Sequence, residues 1–271
     1  MYSSNRKISG FSLVELSIVI IIIGLLFVGV TGGSKLIEQA KLKTVINDLN
    51  KIDRIFHVFY TAYNELPGDF QGASNLWSCT NCNGNGDGVI GFTGVFPYTN
   101  SEHVKIWKHL EYAELLDQSV TGVMNSSGAY FSNQNAYQFK YNSNAIAVVQ
   151  DATDAWTKGW MNNYDYRGKN VIHITPVDFG YIGASTALFT PKDLYSIDSK
   201  IDDGKPRKGK IYGFNPVRDN NADWDGVNGS SGPFCSLIST KTNVTAAQMD
   251  SDEYSLSSDQ KLCVITVDLR F

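Results

Sequence analysis

The run Gly10-Phe11-Ser12-Leu13-Val14-Glu15-Leu16 opens an apolar stretch that continues almost unbroken to Gly33. Between Phe11 and Thr31 it holds Ile18 to Ile23, Leu25, Leu26, Phe27, Val28 and Val30, with Glu15 as its only ionisable residue. That is roughly the 20 residues a membrane-spanning helix requires. A carboxylate inside hydrocarbon costs about 2.5 to 3.5 kcal/mol on insertion scales, so Glu15 calls for a partner. Arg6 and Lys7 lie in a short arm with no acidic residue, which favours a cytoplasmic N-terminus and an exported remainder beyond Gly33. A secretory signal peptide would have a shorter core, roughly 7 to 15 residues, ending in small residues.

Past the membrane-length stretch the helical pattern persists. Leu36, Ile37, Ala40, Val45, Leu49, Ile52, Ile55, Phe56 and Phe59 recur at near three- and four-residue steps, and neither Pro nor Gly interrupts Ser34 to Glu65. The spacing predicts one long helix whose outer half is amphipathic and packs on a globular head, with Pro67-Gly68 as the stop. About two hundred residues follow, enough for a substantial core.

The segment GFSLVELSIVIIIIGLL resembles the N-terminus of type IV prepilins and of the pseudopilins of type II secretion. The resemblance implies cleavage by a prepilin peptidase between Gly10 and Phe11, N-methylation of Phe11, and a buried Glu15 that pairs with the terminal amine of a neighbouring subunit. Opposite charges in hydrocarbon attract strongly, so such a pair favours one register between helices. It also implies an α+β fold of the pilin "lollipop" kind: a leader over 1–10, a transmembrane half-helix over 11–33, an amphipathic half over 34–65 and a globular head over 66–271 with an antiparallel sheet and extra helices. The implied partners are other pilin or pseudopilin subunits, the peptidase and an inner-membrane assembly platform; the implied location is the inner membrane, periplasmic head outward, and then a pilus or pseudopilus. Many major pilins carry a proline where this chain has Gly32. LPGDF at Leu66 to Phe70 and IDSKIDDGKPRKGKI from Ile197 resemble segments of large bacterial pilin-like proteins.

The formal net charge is −4, which gives no electrostatic footprint for nonspecific nucleic-acid binding. Cys79, Cys82, Cys235 and Cys263 all follow the apolar stretch, so an exported head would hold them as disulfides. Four cysteines allow three connectivities; local pairing favours Cys79 with Cys82 and Cys235 with Cys263. A four-thiolate zinc site is the alternative, and it lacks a second close pair.

In the head, Thr99 and Glu102 have capping-box spacing before a helix with Val104, Trp107 and Leu110 on one face. Tyr137–Tyr141 and Ala145–Val149 suit a hairpin, and Val171–Thr175 a strand. Thr190-Pro191-Lys192-Asp193 caps a helix that carries Leu194, Ile197 and Ile201 on one face and stops at Gly204. Lys261–Leu269 alternates as a strand with one buried face.

Asn83-Gly84-Asn85-Gly86-Asp87-Gly88 repeats the first half of a calcium loop, with Asn83, Asn85 and Asp87 as the oxygen donors. Its twelfth position is Gly94 rather than a bidentate Glu, so a glycine-rich turn is the competing reading. Asp219, Asn221, Asp223 and Asp225 form a second oxygen-rich run, with Trp224 where a calcium loop needs glycine. Asp202 and Asp203 oppose the dipole at their helix end, an arrangement that a nearby cation would relieve. His57, His103, His109 and His173 show no metal spacing, and no nucleophile or phosphate-binding motif is present. A structural subunit is therefore expected, not an enzyme, with no certain cofactor. A tip adhesin or substrate-binding module on a pilin stalk is the second class, and an extracellular enzyme on that stalk is the third; Trp77, Trp107, Trp156, Trp160 and Trp224 suit either a ligand surface or a core.

Overall fold

A computed structural model describes residues 12–91, 101–122, 135–142, 145–151, 170–176, 187–214, 235–237 and 246–270. Two compact units divide the chain, Met1–Lys41 and Leu42–Phe271. The long helix α1, Leu13–Tyr63, supplies the described part of the first unit and the opening element of the second.

Within the first unit the side chains from Leu13 to Val30 are exposed wherever described. This is the one helix among the described residues long and apolar enough to cross a membrane. It runs unbroken through Gly32 and Gly33, where an added Cβ would meet no atom within 4 Å.

In the second unit α1 turns amphipathic, as its periodicity requires. Leu42, Val45, Leu49, Ile52, Ile55, Phe56 and Phe59 are buried in the core, while Lys43, Asn47, Arg54, His57 and Val58 face solvent. The helix ends at Tyr63, two residues before Glu65, because Asn64 takes the left-handed conformation (φ 55°) and donates its N–H to Tyr60 O at 2.7 Å.

The head sheet is fully antiparallel in the order β1-β2-β3-β5-β4. Its strands are β1 Tyr137–Gln138, β2 Ala145–Asp151, β3 Asn170–Pro176, β4 Ile211–Phe214 and β5 Val264–Leu269. The expected hairpin forms with Tyr137 opposite Ala147, but its first strand is only two residues long. β5 begins three residues later than expected, since Cys263 instead bridges Phe189. Every residue of β5 is buried, not one face. Its polar side chains are absorbed locally: Thr266 shares a 2.8 Å hydrogen bond with His173 Nδ1 across the ladder, and Asp268 accepts from Arg270 Nε at 3.3 Å.

Four shorter helices complete the described architecture: α2 Ala73–Trp77, α3 Glu102–Tyr112, α4 Pro191–Ile201 and α5 Ala246–Ser251. α4 carries the full reciprocal capping box of Thr190 and Asp193. α3 departs from the expected start. Thr99 lies outside the described residues, the N-cap is Ser101 without a side-chain cap bond, and Glu102 sits at the first helical position. Val104, Trp107 and Leu110 are fully buried, and Trp107 meets Phe56 of α1 edge-on at 6.1 Å.

Polar contacts then set the register of α1 on the head. Buried Asp48 accepts from Tyr137 Oη (3.1 Å) and Lys140 N (2.9 Å), Asp53 pairs with Lys210 (2.7 Å), and Lys51 with Asp117 (2.5 Å). Burial beside Asp48 pushes the Tyr137 hydroxyl above its ordinary range. We expect Phe56→Ala to lower stability by about 3 to 5 kcal/mol in denaturant unfolding, whereas exposed Val58→Ala should stay within about 0.5 kcal/mol.

Candidate functional site

Gly10 and Phe11 lie outside the described residues. Glu15 is described, and it has a local partner. Its Oε2 accepts the Ser12 N–H at 2.8 Å, while Ser12 Oγ accepts the Val14 N–H at 3.3 Å. The charged residue of the apolar stretch therefore helps to cap its own helix. The signal for this was the Ser12-x-x-Glu15 spacing, a capping-box pattern that a reading based on charge alone overlooks.

A second constellation is built on the turn Leu66–Phe70. Gly84 approaches that turn so closely that a Cβ there would lie 2.1 Å from the Asp69 carbonyl carbon, and its N–H donates to Phe70 O at 2.9 Å. Glycine is thus required at this position by space. The loop then folds back over two buried carboxylates. Asp69 accepts N–H bonds from Gly86 (2.5 Å) and Gly88 (2.8 Å), and Glu102 accepts from Asn85 (2.9 Å) and Gly91 (2.9 Å). Buried His109 joins the same region as a neutral linker. Its Nδ1 accepts the Gly68 N–H at 2.9 Å, which leaves Nε2 to donate to Cys82 O at 2.7 Å.

Three carboxylates converge at the loop. Carboxylate oxygens of Asp69, Asp87 and Glu102 lie within 4.8 Å of one another, whereas Asn83 Oδ1 is taken by the Ser74 N–H (2.7 Å). Asn85 Oδ1 accepts the Asp87 N–H, and its Nδ2 donates to Asp87. Of the expected donors Asn83, Asn85 and Asp87, only Asp87 belongs to this carboxylate group. Asp69 and Glu102 are held above their usual carboxylate range, chiefly by burial and further by neighbouring negative charge. The backbone N–H donors oppose that shift and supply the fixed positive end of the clasp. From sequence Glu102 enters only as a capping-box residue, and neither it nor Asp69 reads as an acceptor for the glycine loop, because they lie 14 residues before and 15 after the loop's Asn83 and Asp87 in the chain.

The acids that end α4 are organised in the same way. Asp198, Asp202 and Asp203 converge within 4.8 Å. Tyr254 Oη donates to Asp198 at 2.7 Å, the Gly204 N–H donates to Asp198 at 3.2 Å, and Asp203 accepts the Lys205 N–H at 2.8 Å. Asp202 accepts from the backbone of Lys210 and Ile211. The acids that clash with the helix dipole thus hold the turn that follows it. Burial pushes the Asp198 carboxyl up to about 7. Alongside, Arg207 and Asp252 form a buried pair at 2.7 Å.

The cysteines form Cys79–Cys82 and Cys235–Cys263 disulfides, and no free cysteine remains. Of the histidines, His57 is exposed and the other three are buried. Asp219 to Asp225, Trp156, Trp160 and Trp224 lie outside the described residues.

Residues 5–31 match the family described as a prokaryotic N-terminal methylation motif. The chain carries the prepilin-type cleavage and methylation segment found in type IV pilins and pseudopilins. Neither a curated protein nor a solved structure matches the chain. The apolar helix and the motif together fit a membrane-anchored, pilin-like protein.

Glu102→Ala strips the acceptors from two backbone N–H groups and is expected to lower stability by about 1 to 3 kcal/mol in thermal unfolding, with chelator present. A loss that appears only when calcium is added would mean that the carboxylate serves an ion. Burial lowers His109 to about 4. The neutral ring is therefore favoured in the fold, and its contribution, complete above the unfolded value near 6.5, is lost as pH falls toward 4. Asp198 works in the opposite direction over much of that range. The stability advantage of the wild type over the non-titrating His109→Gln variant, measured by urea unfolding, should accordingly shrink between pH 6.5 and 4.

Proposed function

We propose that this chain is a structural subunit, a minor pilin or pseudopilin of a type IV pilus or type II secretion pseudopilus. The observation that carries the reading is the methylation motif over residues 5–31, continuous with a helix of membrane-spanning length and composition. Prepilin peptidase cuts between Gly10 and Phe11, Phe11 becomes the N-methylated first residue, and Glu15 pairs with the terminal amine of a neighbouring subunit. The chain waits in the inner membrane with its N-terminus cytoplasmic and its head periplasmic, and an assembly platform then builds it into the filament. Its work is assembly, not catalysis. A head as large as Leu42–Phe271 supports a minor role, since a bulky head is most easily accommodated where it need not tile against copies of itself.

The capping geometry refines the test. A Gln at position 15 keeps an oxygen for the Ser12 N–H and removes the charge. Glu15→Gln is expected to leave the protein cleaved and membrane-bound while removing it from purified filaments, read by immunoblot. Gly10→Val is expected to retain residues 1–10, read by intact mass, and to be absent from filaments as well. Normal incorporation of the uncleaved Gly10→Val protein would sink the proposal.

A further inference from the structure

The two disulfides occupy opposite environments. Cys235 and Cys263 are both fully buried, and they tie residues 235–237 to the residue just before β5. Cys79–Cys82 closes a ring over two exposed residues, Thr80 and Asn81. Cys79 is half-buried and Cys82 is 9 % exposed. Cys82 also forms part of the wall of an open polar cleft of about 440 Å³, shared with Ser74, Asn81, Asn83 and Lys105. The backbone bends sharply at the ring. Ser78, the residue just before it (φ 54°), and Asn81 within it (φ 56°) both adopt the left-handed conformation, which Asn tolerates and Ser accepts at a cost.

Accessibility, an entry path and local backbone strain are the features that separate exchangeable disulfides from inert structural ones. We propose that Cys79–Cys82 is a thiol-exchange site, opened by a dithiol reductant while Cys235–Cys263 stays closed. The attacking group is one thiolate of the dithiol. It bonds to Cys79 Sγ, on the more exposed of the two residues, and the Cys79–Cys82 bond breaks with its electron pair leaving on Cys82 at the cleft wall. The second thiol of the reductant then displaces Cys79 from the mixed disulfide. Two electrons pass to the cysteine pair, the reductant closes its own disulfide, and its two protons end on Cys79 and Cys82. Lys105, at the cleft wall, has the right charge to draw in a thiolate. Opening the ring leaves the neighbouring clasp anchored at Cys82 O by His109 and at Asn83 Oδ1 by the Ser74 N–H, so the head remains folded.

The test uses the purified full chain in detergent, equilibrated over a series of reduced-to-oxidised dithiothreitol ratios, alkylated, and mapped by peptide mass spectrometry with circular dichroism in parallel. Cys79 and Cys82 should become alkylated at a ratio about tenfold lower than Cys235 and Cys263, with the native spectrum retained. Reduction of both pairs at one ratio, reduction of Cys235–Cys263 first, or opening of Cys79–Cys82 only with loss of the native spectrum would each overturn the proposal. A Cys79→Ser/Cys82→Ser protein gives a second reading: it should keep the wild-type spectrum and unfold within a few degrees of it, and failure to fold would also count against an exchangeable bond. None of these outcomes depends on assembly, so the proposal stands or falls apart from the filament reading.

Discussion

The head depends on one buried stripe of α1. Val45, Leu49, Ile52, Phe56 and Phe59 are all but inaccessible to water, and each fully buried side chain of this kind contributes roughly 1.5 to 3 kcal/mol. Phe59 alone touches the rings of Tyr63, Phe70, Trp77 and His109, so it joins the helix to the turn after it, to α2 and to α3. The polar contacts are subordinate in energy but not in geometry. Hydrophobic burial is non-directional, and it fixes which face of the helix is buried more firmly than where along its axis the helix sits. Asp48, Lys51 and Asp53, engaged with three separate parts of the head, remove that freedom.

Away from the sheet the same problem is solved twice in one way. A loop that crosses the surface of a core carries backbone N–H groups with no ladder to join, and each must find an acceptor. Around Leu66–Phe70 the acceptors are Asp69 and Glu102; after α4 they are Asp198, Asp202 and Asp203. Burying these carboxylates, and to a smaller extent grouping them, raises the free energy of their charged forms, which the upward shifts at Asp69, Glu102 and Asp198 record. Neutral acceptors would avoid that cost, but they would bond the N–H groups less strongly. Desolvation is therefore traded for loop definition at both places.

How much of this was legible in the sequence varies with the range of the interaction. The long helix, the α4 capping box and the strand over Val171–Thr175 rest on contacts a few residues apart, and periodicity or caps display those directly. β4 offers only four residues around Gly213 and gives no strand signal; it exists because β5 presents a free edge to it. The full burial of β5 was hidden because Thr266 and Asp268 mark a solvent face by type, yet each finds a partner, one of them 93 residues away. The clasp illustrates the same limit. Glycines and asparagines announce a turn, but the carboxylates that close it are supplied by a turn and a helix elsewhere in the chain, and chain distance conceals them.

Glu15 shows how local geometry can change the weight of an argument while leaving its conclusion in place. The cost assigned to a carboxylate in a membrane refers to the middle of a helix with no compensation. Glu15 sits instead in the first turn, where the unpaired N–H groups and the helix dipole favour an anion by about 0.3 to 1 kcal/mol, and it already accepts one N–H bond. Part of its need for a partner is therefore met within its own chain, and cost alone no longer implies a second subunit. The motif must carry that inference. A carboxylate accepts at both oxygens, so the Ser12 bond does not exclude an incoming amine. A side chain tethered to its own helix start has also already lost rotamer freedom that any further pairing would otherwise have to overcome.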